Sequence, residues 1–143
     1  MSLFLPERAL ASVRTLNDDQ LRRAFYDTVL NGKRPLICGE QEDNACYDIF
    51  VALCQTPRAA AVIRGASDVI DKLASLISED PIDLTDHQAT AIYDLTNFIS
   101  IVAPAELRND VLALLEIAKK KNAPTTVLNP VTRAAQAYLT PVP

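Results

Sequence analysis

The stretch TDHQATAIYDLTNFISIVAP, residues 85–104, decides the fold class. Thr85 offers a short side-chain oxygen to the amide three residues on, and Gln88 reaches back to the Thr85 amide, so the pair spells a capping box. From there Ile92, Leu95, Ile99 and Val102 recur at steps of three and four, the period of a helix buried on one face. Ala103 and Pro104 then stop that helix and start another, because a proline at the first turn has no N–H to leave unsatisfied. The second carries Leu107, Val111, Leu114, Leu115 and Ala118, and ends in Lys119, Lys120 and Lys121 against its negative pole.

The same punctuation runs outward in both directions. Asn17 and Gln20 form another capping box, with Leu16 stapled to Leu21, and Leu21, Phe25, Thr28 and Val29 line one face until Gly32 permits a left-handed stop. Before it, Leu5, Ala9 and Val13 predict a short amphipathic helix over Pro6–Arg14. Lys33–Asn44, with its proline, glycine and clustered acids, reads as a loop. Ala45 to Cys54 is apolar on every face and predicts a helix buried all round. Thr56 and Pro57 open a short helix through Ile63 that Gly65 closes. Val69, Ile70, Leu73, Leu76 and Ile77 mark the next, whose outer face of Asp68, Asp71, Lys72 and Ser75 is solvated. After a break at Asp80 and Pro81 come the two helices described first, and Asn129 and Pro130 begin the last, with Val131, Ala134, Ala135 and Tyr138. The expected fold is all-α, with six to eight short helices packed as antiparallel hairpins in one domain, residues 1–139, and a proline-rich tail at 140–143.

Tyr47, Asp48 and Ile49 recur 46 residues later as Tyr93, Asp94 and Leu95. That period suits helical hairpin repeats of the HEAT or armadillo kind, which resemble this chain in spacing and helix pairing alone. An irregular helical bundle accounts for the same spacing.

Composition removes several classes of function. Hydrophobic residues make up 49% and charged residues 22% of 143, the balance of a globular chain. No apolar run approaches the ~18–20 residues of a membrane span. Met1–Leu5 is too short for a secretory signal and lacks its basic flank and cleavage site, so the chain is expected to be cytoplasmic or already processed. Cys38, Cys46 and Cys54 are odd in number with no C-x-x-C pair, which argues against a disulfide framework and a zinc site. Charge is uneven: residues 35–116 hold fourteen acidic and four basic side chains, whereas residues 117–143 hold four basic and none acidic. A mid-chain net charge of −10 repels phosphate backbones and anionic lipid, so neither nucleic acid nor membrane is an expected partner.

No residue pattern carries a recognisable catalytic chemistry. His87 is the only histidine, and a nucleophile pair with Cys38 requires the fold to bring them together with a third group orienting the ring. Glu40, Glu42 and Asp43 lack the alternating ligands and glycine turn of a calcium loop, and no zinc, di-iron or P-loop spacing is present. The expected protein is therefore not an enzyme and takes no metal or cofactor.

The surface that stands out is on the longest helix. Tyr93, Thr96, Asn97 and Ser100, beside Asp94, form a polar stripe almost without charge. Interface cores deplete charge and favour aromatics, so this stripe suits a partner; a central helix with its hydroxyls bonded internally produces the same pattern. The expected function is a non-catalytic protein-binding module, an adaptor, inhibitor or subunit, whose candidate site residues are Tyr93, Asp94, Thr96, Asn97, Ser100, Glu40, Glu42 and Asp43. Its expected partner is another protein, a basic one such as a toxin or nuclease, steered by the acidic centre; a second copy of the chain is the other candidate. The alternative is a bundle that holds a small apolar ligand or lipid between helices around Ile49, Phe50, Phe98 and Ile99.

Overall fold

Local capping chemistry sets where the helices of this chain begin. In the computed structural model, which describes residues 15–31 and 50–139, five α-helices and one 3₁₀ turn follow one another, with no strand among the described residues. These are α1 (Asp18–Asn31), α2 (Ala59–Ile77), α3 (Asp86–Val102), the 3₁₀ turn Ala105–Leu107, α4 (Arg108–Lys120) and α5 (Thr125–Leu139); residues 50–53 are helical as well. The all-α expectation holds. The expected helix over 6–14, the loop over 33–44, the residues Ala45–Ile49 and the tail at 140–143 lie outside the described residues. Chain contacts divide the described residues into two compact units, one up to Ala66 and one from Ser67 onward, with the division falling inside α2.

In the first unit, both predicted elements of the α1 cap form. The Gln20 amide donates to Asn17 Oδ1 at 2.8 Å, and the Asn17 amide donates to Gln20 Oε1 at 2.9 Å. Leu21, Ala24, Phe25 and Val29 bury one face of α1, and Phe25 meets Phe50 edge-to-face with ring centroids 4.9 Å apart. Arg58 reaches back from the turn before α2 to donate to the Leu16 carbonyl at 2.7 Å and to Asp18 at 3.0 Å, which ties down the entry to α1.

Gly65 departs from its expected role. It does not end a helix: α2 runs unbroken from Ala59 to Ile77, and Gly65 sits inside it. A Cβ at this position would stand 2.7 Å from the Arg22 carbonyl oxygen and 2.9 Å from Phe25 Cβ. The glycine is thus a contact point at which α1 approaches the backbone of α2, and that proximity offsets the roughly 1 kcal/mol it costs as a helix-interior residue.

In the second unit α3 carries the complete capping box. The Gln88 amide donates to Thr85 Oγ1 at 3.2 Å, and the Thr85 amide donates to Gln88 Oε1 at 2.9 Å. Ala103 ends α3 in the left-handed region at φ 43°, its N–H bonded to the Ile99 carbonyl, and Pro104 leads into the 3₁₀ turn and α4 as the sequence predicts. The end of α4 is a Schellman-type stop: Asn122 takes φ 52°, the Ala123 amide donates to the Ala118 carbonyl at 2.9 Å, and Ala123 is buried.

The last helix begins earlier than Asn129. Pro124, not Pro130, leads it in: the amides of Val127 and Leu128 both donate to the Pro124 carbonyl at 2.9 Å, and α5 starts at Thr125. Pro130 lies inside the helix and is buried. Both α3 and α4 pack on α5.

Two substitutions in α1 and α2 test this packing. Gly65→Ala must displace a carbonyl and a Cβ, an overpacking cost of roughly 1–3 kcal/mol that exceeds the propensity it restores, so its urea midpoint falls below that of the parent protein. Thr28 Oγ1 is buried with no hydrogen-bond partner. Thr28→Val keeps the shape and removes the unmet hydroxyl, so the midpoint rises by an amount worth about 1 kcal/mol; a lower midpoint would mean that the hydroxyl is bonded in solution.

Candidate functional site

Burial of Ile92, Leu95, Phe98 and Ile99 fixes the rotation of α3, and that rotation sorts the predicted polar stripe into two groups. Thr96 is buried, and its hydroxyl donates to the Tyr93 carbonyl at 2.9 Å; Ser100 is half-buried, and its hydroxyl donates to the Thr96 carbonyl at 2.8 Å. Both hydroxyls bond to their own helix. Asn97 and Asp94 are half-buried, while Tyr93 is 53% exposed. The stripe therefore straddles the edge of the core, with Tyr93 on its outer side. Glu40, Glu42, Asp43 and Cys38 lie outside the described residues, and His87 is exposed in the first turn of α3. Of the four residues expected around an apolar ligand, Phe50 is buried in the first unit, Phe98 and Ile99 are buried in the second, and Ile49 is outside the described residues.

The sequence reading overlooked one residue on this face. Ile101, eight positions after Tyr93, is 69% exposed. Ala89, Tyr93, Asn97 and Ile101 follow one another at steps of four along the outer side of α3, so this row is free of charge over about 18 Å of helix, with Asp94 on its flank. An exposed isoleucine and an exposed tyrosine on one uncharged ridge form a coherent surface rather than scattered exposure.

A cleft of about 520 Å³ opens beside this ridge, where Ala89, Thr90 and Tyr93 of α3 face Thr125, Thr126, Asn129, Pro130 and Arg133 of α5. Among these lining residues Arg133 carries the only charge. Pro130 has no N–H to give, so the Thr126 carbonyl loses the donor that a helix would normally supply four residues on. The α5 side of the cleft was missed because Asn129 and Pro130 read as a helix start; Pro124, followed by Thr125 and Thr126, was the signal that could have found it.

The far end of the helix pair is also held. Tyr138 donates its hydroxyl to the Pro104 carbonyl at 2.8 Å. With the first halves of α3 and α5 adjoining at the cleft and their ends joined here, the two helices run in the same direction. Burial, with a smaller contribution from the Glu106 carboxylate, pushes the Tyr138 phenol up to about 12.

The surroundings are acidic. From Ser67 to Glu116 there are ten carboxylates against Lys72 and Arg108. Asp83, Asp86 and Glu106 are exposed near the two ends of α3. On α2 and α4, partial desolvation, then the charges of Asp110 and Asp68, raise the Asp71 carboxyl above its ordinary value, and Ser67 donates to Asp110 at 2.9 Å. No group of His, Cys, Asp or Glu among the described residues is arranged to hold a metal ion, and no described helix is long and apolar enough to cross a membrane.

Tyr138 gives a pH test. Its folded value lies above the unfolded value near 10, so its contribution is complete below about pH 10 and is lost as pH rises through about 12. In a spectrophotometric titration of the folded protein a tyrosine ionises late, near pH 12, and Tyr138→Phe removes that late step. Comparison of the chain with known protein families, with curated proteins and with solved structures finds no match.

Proposed function

We propose that this chain is a non-catalytic protein-binding module, an adaptor, inhibitor or subunit, that docks a basic partner on the outer face of α3 and the acidic surface around it. The observation that carries this reading is the uncharged ridge with Tyr93 and Ile101 exposed on it. Tyrosine and large aliphatic side chains at the centre of a surface, with charge moved to its edge, are the composition of an interface core and rim. Asp83, Asp86 and Glu106 lie beyond the ends of the ridge, where they attract cationic groups and speed encounter without being desolvated.

Asp71 supports the sign of the partner. Its carboxyl is raised above its ordinary value by partial burial first and then by the like charges of Asp110 and Asp68, and a cationic group brought nearby would lower it again.

Capture on the tagged chain from its native cell, followed by mass spectrometry, tests the reading. The expected result is a protein of basic surface that is retained at about 50 mM salt and released at about 500 mM, where screening shortens the reach of charge to a few ångströms. The double variant Tyr93→Ala, Ile101→Ser alters exposed side chains only and keeps the wild-type circular dichroism, yet it retains at least about tenfold less of that protein. Salt-insensitive retention, or equal retention by the variant, overturns the proposal.

A further inference from the structure

The shape of the α3 face narrows the kind of partner, on the assumption that the docking reading above is right. We infer that the segment seated on this face is a basic amphipathic helix. Ala89, Tyr93, Asn97 and Ile101 make a straight ridge of residues four apart, the row that fits the groove between corresponding rows of a second helix. The cleft beside Tyr93 gives space for one large side chain from the incoming helix, against Pro130 of α5.

Charge selects among occupants of that ridge. Asp83 and Asp86 lie at one end, Glu106 lies past the other, and Asp94 sits on the flank, so an occupant with lysine or arginine on either side of its apolar stripe is attracted at both ends. A second copy of this chain would bring the same carboxylates against themselves, and the whole chain carries a net −4. An acidic helix would meet Arg133 favourably but be repelled by the four carboxylates. The ridge is about 18 Å long and a helix about 10 Å wide, so the contact is small, in the range of transient interfaces.

Three labelled peptides of eighteen residues, titrated with the intact chain by fluorescence anisotropy, test this inference. The first is built from leucine, alanine and lysine with leucine on one helical face; the second replaces lysine by glutamate; the third has the composition of the first in scrambled order. The first is expected to bind, the second not at all, and the third at least about tenfold more weakly than the first. The Tyr93→Ala, Ile101→Ser variant is expected to lose about tenfold in affinity for the first peptide. Equal binding of the scrambled peptide, equal binding by the variant, or a reversible dimer in sedimentation that the same two substitutions abolish, overturns the inference. If capture from the cell depends on Tyr93 and Ile101 while the first peptide fails to bind, the helix is wrong and the docking face stands. If neither depends on them, both fall.

Discussion

The narrow buried face of α5 is the constraint from which the second unit follows. Val127, Pro130, Val131, Ala134 and Ala135 present small or short side chains to the interior, while α3 contributes Ile92, Leu95, Phe98 and Ile99, and α4 contributes Val111, Leu114 and Leu115. Bulk on two helices fits against slightness on the third, which lets both approach one axis closely. With Phe98 and Ile99 committed inward, a helix of 3.6 residues per turn has no choice but to present Tyr93 and Ile101 outward. The exposed ridge is therefore a geometric consequence of the core, and the bond from Tyr138 to Pro104 holds the helix pair at the opposite end from the cleft.

What was legible in the sequence was whatever is decided locally. The boxes at Asn17 and Thr85 depend on four consecutive residues, and both form with the expected bonds. Gly65 and Pro130 were misread because each residue type has two meanings that only distant chain can separate. A glycine permits a left-handed stop or a close approach, and the presence of the Arg22 carbonyl, forty-three residues away, selects the second. A proline tolerates the first turn or kinks an interior, and Pro124 had already taken the first turn. The polar stripe was legible as a set but not in its orientation. Threonine and serine satisfy themselves on their own helix when turned inward, so Thr96 and Ser100 look alike to a sequence reading whether they face partner or core.

The acidic character of residues 67–116 works against the stability that packing provides. Carboxylates on α2 and α4 are close enough for Asp71 to feel both Asp110 and Asp68, although Asp110 also accepts from Ser67 and stands in the first turn of α4, where the helix dipole favours it. Charge beyond those local roles is consistent with the proposed encounter with a cationic partner.

Pro130 has one more implication. Helical backbone ordinarily directs its hydrogen-bonding groups along its own axis, so neighbours meet only side chains. With a pyrrolidine ring where an amide should be, the Thr126 carbonyl lacks the donor that position 130 would ordinarily supply, and both residues line the cleft. The missing amide is thus a property of position 130 alone: any other residue there restores the donor, whatever side chain stands at 126.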